Sequence, residues 1–507
     1  MPNFKCTPME PTQLMMFPIS VDESIPADAE VKTLCEAMEN LDWSDLESSY
    51  SETGCPAYPP KVLAKILVYG LSKGIRSSRV LEDMVSNHRH YIFLAGGLTP
   101  DHSTISRFRK EKECWLRSAF KGTVRICAEA GHVLLNVSST DGSKIQARAS
   151  KKSLYDQKRI DREMAAIDQI LAEAEETDNR EDEMYGSSSC NTIPQALVDA
   201  KKRKEKLDEI GARLKASGRK SVSATEEDCR VMKTTNGLRP AYNMQITVDA
   251  AEGVILAADV ICAETDHGQL DGQLKQVEEN TGLKVDVSLS DSGYCDEETL
   301  EFLAESGQEA LIPPQQQPQE RKRNDLFASK CFAREASRDV LICPAGRELT
   351  FRRTVEYTSG HYRIYTSRDC GGCSFYSECV SNQETARSVR VSIVDEQKQA
   401  MREKLKTPEG KELYALRQQT VELVFAEIKS NRGLTRFSLC GIVGAKSEIW
   451  LECMAHNLMI WVRRACAARS LADRAVRVVV WQVFWAALLL GRRPRPLIWP
   501  GRYSVVA

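Results

Sequence analysis

The sequence predicts an α/β core with a helical and a cysteine-rich insertion, preceded by an all-α N-terminal domain. Three observations predict it. Residues 58–117 read as short helices without a β-type run. From His132 onward, runs rich in Val, Ile and Thr alternate with helical patterns. Two stretches interrupt that alternation: about 155–235, long and charged, and about 325–385, dense in cysteine. At roughly 100–200 residues per domain, 507 residues suffice for two to four. The expected boundaries are 1–130 for the N-terminal domain, 131–470 for the core and 471–507 for a divergent apolar and basic tail.

In the N-terminal part, Pro59-Pro60 can start a helix that continues through VLAKILVYGL, whose apolar residues recur at helical spacing. A second helix is expected from about Ser77 to Val85, and Gly96-Gly97 ends the next. Thr99-Pro100-Asp101 then leads into HSTISRFRKEKECWLRSAF, with Asp101 or Ser103 at the capping position. Arg107, Arg109, Lys110 and Lys112 crowd the start of that helix. A short helix, a tight connection and a basic second helix are what a DNA-binding helix-turn-helix needs, since phosphates take cations and the major groove admits one helix. An ordinary helical bundle with a solvated basic face has the same pattern.

In the core, VLLNVSST is a β-type run ending at Asp141-Gly142, and AYNMQITVDAAEGVILAADVICAE predicts a hairpin around Glu252-Gly253. LKVDVSLSDSGY is a strand closing on Asp291, and ALIPP a short fourth. Between the first strand and the hairpin, KRIDREMAAIDQILAEAEE and ALVDAKKRKEKLDEIGARLKA flank the loop GSSSCNT and predict a helical hairpin. Residues 411–429 form an amphipathic helix in which Leu413, Leu416, Val421, Val424, Phe425 and Ile428 can share a buried face. The apolar helix EIWLECMAHNLMIWVRRA follows. The later run VVVWQVFWAALLL falls short of the roughly 20 residues that span a bilayer, so it is expected in a core or against a partner, with no membrane involved. Arg492, Arg493 and Arg495 beyond it are expected in a solvated tail.

The net charge of -2 is an average over unlike pieces. Residues 1–60 hold eleven acids and only Lys5 and Lys32 as bases. Residues 61–120 hold eleven bases and five acids, and the chain from 401 onward eighteen bases and eight acids. Near-neutrality therefore does not exclude a nucleic-acid partner. With no secretory signal pattern, the expected setting is a reducing cytoplasm, where clustered cysteines point to metal rather than to disulfides.

Asp141 and Asp291 close predicted strands, where α/β folds place their chemistry. Glu422 lies in an otherwise apolar helix, on the face carrying Arg417 and Lys429. Converging, the three carboxylates would form a hard-oxygen site for Mg²⁺ or Mn²⁺. Two such ions about 3.5–4 Å apart serve an in-line phosphoryl transfer. Taken singly, Asp141 reads equally well as a turn residue and Glu422 as a surface ion pair. A second candidate site is the cysteine set Cys343, Cys370, Cys373 and Cys379, with Cys331 as a substitute. Cys370 and Cys373 have the two-residue spacing of a structural Zn²⁺ site; the competing reading is four reduced thiols. Cys6, Cys35, Cys55, Cys114, Cys127, Cys262, Cys440, Cys453 and Cys466 read as small buried hydrophobes.

These blocks together resemble the bacterial insertion-sequence transposases of the DDE type with an InsH-like N-terminal domain. GCPAYPPKVLAKILVYGLSKGIRSSRVLE and GGLTPDHSTISRFRK are similar to that family's N-terminal domain, and STDGSKIQARASK to its first catalytic block. AYNMQITVDA and ETDHGQL resemble its central strands, and SDSGY its second aspartate block. YALRQQTVELVFAEIKSNRGLTRFSLCG resembles its tyrosine–arginine–glutamate–lysine signature, on Tyr414, Arg417, Glu422 and Lys429. The resemblance covers roughly residues 10–465. It implies a ribonuclease-H-like catalytic core, divalent metal on Asp141, Asp291 and Glu422, and Arg417 and Lys429 at DNA phosphate or organising the site. The reaction it implies is cleavage at the element's terminal inverted repeats, then attack of the freed 3′-hydroxyl on target DNA, by a homo-oligomer at the bacterial nucleoid. Arg107, Arg109, Lys110 and Tyr414 are the expected DNA contacts, and a similar cysteine cluster occurs in related transposases. Four residues separate Arg417 from Glu422 where the signature has three, and Met459 and Ile460 stand where relatives often carry lysines near the DNA. The rival readings are a transposase-derived DNA-binding protein without catalysis, and a ribonuclease-H-like nuclease without strand joining.

Overall fold

The computed structural model describes residues 20–50, 56–185, 195–314, 327, 331–335, 337–357, 360–368, 370–380 and 386–489. The loop GSSSCNT, Cys6, Cys55, Arg492, Arg493 and Arg495 lie outside these residues, as do the side chains of 471–489.

Seven helices come first: α1 (Glu30–Glu39), α2 (Ser44–Ser48), α3 (Pro60–Ser72), α4 (Ser78–Asn87), α5 (Arg89–Ala95), α6 (His102–Glu111) and α7 (Glu113–Glu129). Their starts follow the sequence signals. Pro60 occupies the first turn of α3, the Ser77 side chain caps α4, and Asp101 caps α6 by accepting from the Thr104 amide at 2.7 Å.

A six-stranded mixed sheet follows, built from β1 (Val137–Gln146), β4 (Arg230–Thr234), β5 (Gly237–Asp249), β6 (Ile255–Ile261), β7 (Val287–Ser290) and β8 (Glu309–Leu311). β5 runs antiparallel to β1 and pairs with both β4 and β6, while β7 and β8 add in parallel on the other side. The expected hairpin forms, and Gly253 turns it at φ +78°. α10 (Leu270–Thr281) and α11 (Glu297–Ser306) are the crossovers that parallel pairing requires. β1 does not end at Asp141-Gly142 as expected. It continues because Gly142 pairs with Gln245 and Lys144 with Asn243 on β5. Asp141 is thus a mid-strand residue, level with the point where β7 stops.

The charged insertion forms the helical pair α8 (Gln157–Tyr185) and α9 (Gln195–Ser217), joined at its base by β2 (Leu154–Tyr155) and β3 (Val222–Ser223). Ile160, Ile167, Leu207, Ile210 and Leu214 give the pair its own small core. The cysteine-rich stretch is an antiparallel sheet, β9 (Ala333–Glu335), β10 (Val340–Ile342), β11 (Glu348–Tyr357), β12 (Gly360–Thr366) and β13 (Ser388–Ser392), with the short α12 (Tyr376–Cys379) before its last strand. It runs past the expected limit near 385.

α13 (Asp395–Lys406) and α14 (Pro408–Ala426) return the chain to the main sheet. α14 packs on β1, β5 and β7 through Val421, Val424 and Phe425. A π-helical turn, Glu427–Asn431, follows it, and then α15 (Gly441–Leu489). α15 covers the edge strand β6: Asn457 accepts from the Ile255 amide and donates to its carbonyl, both at 2.9 Å, and Trp450 donates to the Ala258 carbonyl. This satisfies edge groups that would otherwise be unpaired. α1, α3 and α7 also pack on α15, so the N-terminal helices and the main sheet share one apolar core. Met459, at a position where relatives often carry a lysine, lies in that core, 3% exposed.

Candidate active site

The site is assembled where β1, β7 and α14 meet. Thr140 pairs with Ser290 as the last rung between the parallel strands, which sets Asp141 and Asp291 next along adjacent chains. Adjacent strands lie about 4.8 Å apart, so the register alone brings these two carboxylates together. α14 crosses the same sheet and supplies the third group. Arg417 lies between, with one guanidinium nitrogen 3.0 Å from Asp141 Oδ2 and the other 3.2 Å from Glu422 Oε1.

The electrostatics are those of a crowded anionic pocket. Burial, with Asp291 and Asp266, pushes the Asp141 carboxyl up to about 6 against the opposing pull of Arg417. Arg417 is held charged by Asp141, Asp291 and Glu422 against the cost of its own burial. Glu422 differs from Asp141 in being 48% exposed, so its carboxylate keeps an open side. Tyr414 is half-buried and packs against the main core, its hydroxyl raised by burial and by the same carboxylates.

Glu422, ahead of the π turn, is bridged through Arg417 to Asp141. Lys429 reaches instead to the Ser143 hydroxyl, two residues beyond Asp141 on β1, with its ammonium 5.3 Å from the centre of the Phe425 ring. Burial lowers the Lys429 pKa, and Asp141 opposes that shift. π turns of this kind recur at functional sites.

Five residues without an assigned role in the sequence reading complete the surroundings. Asp266, in the loop after β6, accepts from Lys144 at 2.9 and 3.0 Å, from Asn243 at 2.6 Å and from Gln245 at 2.7 Å. Gln245 in turn accepts from the buried Tyr294 hydroxyl. Asp266 belongs to ETDHGQL and Tyr294 to SDSGY, blocks whose polar residues were the available signal.

Among the described residues, no group of three or more His, Cys, Asp or Glu side chains stands ready to hold a metal ion as placed. Arg417 accounts for this at Asp141 and Glu422, since it occupies the space between them. The donor set itself fits a divalent cation: hard carboxylate oxygens, one of them buried at a cost that a cation would offset. The fit is poorer at the cysteines. Cys343, Cys370, Cys373 and Cys379 line one cavity with Phe332 and Leu349, and the Arg347 and Arg387 amides donate to Cys343 at 3.3 Å and to Cys370 at 3.4 Å. The four are free thiols in the structure, so the zinc expectation gains convergence but no formed ligand set.

The expected DNA contacts divide. Arg107 and Lys110 lie exposed on α6. Arg109 is 7% exposed and donates to the Arg76 carbonyl at 3.2 Å, so it braces the turn before α4 and is not available to a phosphate. α6 turns one side inward through Ile105 and Phe108, and Arg109 sits beside them.

Residues 342–460 match the family model of the transposase DDE domain, and residues 19–111 match that of a transposase domain, DUF772. The first match holds Tyr414, Arg417, Glu422, Lys429 and the four cysteines, but neither Asp141 nor Asp291. The second holds Arg107, Arg109 and Lys110. No curated protein matches the chain. No helix among the described residues is long and apolar enough to cross a membrane.

Proposed function

The chain is an insertion-sequence transposase of the DDE class, a DNA-cleaving and strand-transferring enzyme, and from that premise we propose that Asp141, Asp291 and Glu422 are its metal-binding carboxylates. The observation that carries this reading is the convergence of three distant segments: Asp141 on β1, Asp291 directly after the adjacent parallel β7, and Glu422 brought to Asp141 by Arg417. The mixed sheet, with one antiparallel and one parallel flank about β1, accords with the ribonuclease-H-like core that the DDE match implies.

In this reading the three carboxylates would hold Mg²⁺ or Mn²⁺, and the ion would supply activation of a water or 3′-hydroxyl and charge neutralisation at the scissile phosphate. The protein's own part is placement. β1 and β7 hold Asp141 and Asp291 by their ladder, and α14 presents Glu422 on its open side. Arg417, between Asp141 and Glu422, would meet a DNA phosphate in the planar two-point manner of a guanidinium. Lys429 stays on β1 through Ser143. Tyr414 borders the site as a surface for the DNA end. Arg107 and Lys110 on α6 bind the terminal repeats, and the protein works as a homo-oligomer at the nucleoid. The cysteine sheet, whose buried core among the described residues is Phe332, Leu341, Leu349, Tyr365 and Val389, would be held by structural Zn²⁺ on the four thiols.

The test is Mg²⁺-dependent nicking of DNA carrying the element's own ends. Asp141→Asn, Asp291→Asn and Glu422→Gln should each reduce it to background. A variant that cuts at the wild-type rate removes its residue from the mechanism. Zinc content of the purified protein, lost in Cys370→Ser, checks the second metal.

A further inference from the structure

The back of the metal-binding strands carries a polar chain that the reaction chemistry does not use. Asp266 takes both oxygens of its carboxylate to Lys144 and one of them also to Asn243 and Gln245. Gln245 spends its amide nitrogen on Asp266 and its oxygen on the Tyr294 hydroxyl. The chain Lys144–Asp266–Gln245–Tyr294 therefore ties four segments: β1, the loop before α10, β5 and the turn that follows Asp291.

Two glycines make room for it. A Cβ added at Gly142 would lie 2.4 Å from Asp266 Oδ1 and 2.4 Å from Gln245 Nε2. A Cβ at Gly293 would meet Asp291 Oδ1 at 2.9 Å and Asp266 Oδ2 at 3.6 Å. Gly142 directly follows Asp141 and Gly293 stands two residues after Asp291, so one carboxylate presses on the backbone beside both aspartates. Alternation along β1 places Gly142 and Lys144 on the face opposite Asp141 and Ser143. Asp266 thus makes its β1 contacts from the face opposite the Asp141 side chain.

We infer that Asp266 is a positioning residue, a clamp that sets the Asp291 turn against β1 and so fixes the spacing of Asp141 and Asp291. The inference rests on the metal-carboxylate reading above. Groups that orient ligating residues in this way typically change metal affinity or activity by about 10–100-fold when removed.

The experiment measures Mn²⁺ binding to the full chain by the electron paramagnetic resonance of free Mn²⁺, beside the Mn²⁺ dependence of nicking. Circular dichroism melts confirm that each variant is folded. Asp266→Asn should weaken Mn²⁺ binding about 10–100-fold, with nicking restored as Mn²⁺ is raised. Gly142→Ala should reproduce that shift with Asp266 intact, because the added methyl displaces its carboxylate. Asp291→Asn should not be restored at any concentration. Unchanged Mn²⁺ affinity in Asp266→Asn or in Gly142→Ala overturns the clamp. Binding lost beyond rescue in Asp266→Asn also overturns it, since the residue would then be a ligand. If wild type and Asp141→Asn bind Mn²⁺ alike, the carboxylate reading fails and the clamp with it.

Discussion

Two clusters of acids and bases meet within a few residues of the end of α14, and their contrast separates a site from a strut. At the first, Asp141 and Glu422 share one guanidinium, Arg417, and Glu422 remains 48% exposed. At the second, Glu448 and Glu452 are 2% and 0% exposed and both pair with Arg76, reaching Glu448 at 2.7 Å. Arg432, 3% exposed, pairs with Glu427 at 2.8 Å and donates to the Glu452 carbonyl. Glu448 also accepts from the Ser438 and Leu439 amides. The second cluster joins the turn before α4, the π turn and α15, so it ties the N-terminal helices to the segment carrying Glu422. Glu448 and Glu452 are buried against guanidinium groups, with Glu452 Oε2 left without a hydrogen bond, whereas Glu422 keeps an open side.

That contrast is broken most directly by removing Arg76. Arg76→Ala leaves Glu448 and Glu452 buried without their common partner, and breaking such a pair costs about 3–5 kcal/mol. Against the roughly 5–15 kcal/mol that hold a domain together, the variant should show a strongly lowered urea midpoint. Glu452, whose carboxyl burial already raises to about 7, should then take up a proton. Glu422→Gln is the opposite case. It should abolish Mg²⁺-dependent cleavage while shifting stability by less than about 1 kcal/mol, as exposed pairs do. A large loss of stability in Glu422→Gln would assign that carboxylate to the fold.

The N-terminal bases repeat the comparison on a smaller scale. Arg107→Ala and Lys110→Ala should each reduce the slope of log K against log salt for end binding by about 0.9, the value for one phosphate contact. Arg109→Ala should leave the slope unchanged and lower the melting temperature, because that guanidinium is spent on the Arg76 carbonyl. Equal slopes for all three would end the distinction.

The smallest effect concerns pH. Glu427 sits by His456 at 3.5 Å, with Arg432 at 2.8 Å and Arg463 at 3.8 Å. The His456 contact and Arg432 hold its carboxyl at about 2, below the ordinary 4.5. A carboxyl lowered in the folded state adds stability that is complete above 4.5 and is lost as pH falls toward 2. Urea midpoints at pH 6 and pH 3 should therefore differ less in Glu427→Gln than in the wild type.

Much of this was legible from residues alone. Capping and periodicity located the N-terminal helices, the hairpin, the helical pair and the strand ending at Asp291, because each depends on neighbours in sequence. Asp-Gly at 141–142 misled for a physical reason. The pair favours turns, but here the glycine serves a close approach by Asp266 across the sheet, which no local pattern expresses. Arg109 misled similarly: a basic run on a helix does not state which of its members faces inward. The five-stranded cysteine sheet was not foreseen, since its strands are short and polar and are held by one another.

By itself the sequence determined the order of the elements, the division of charge along the chain and the identity of the three carboxylates worth testing. These are properties of composition, spacing and local backbone preference. Tertiary structure alone decided which acids meet. The parallel register of β1 and β7 sets Asp141 beside Asp291, Arg417 bridges to Glu422, and Asp266 enters from behind. Pairing at long range depends on strand register and helix packing, which many residues set jointly and no single motif records.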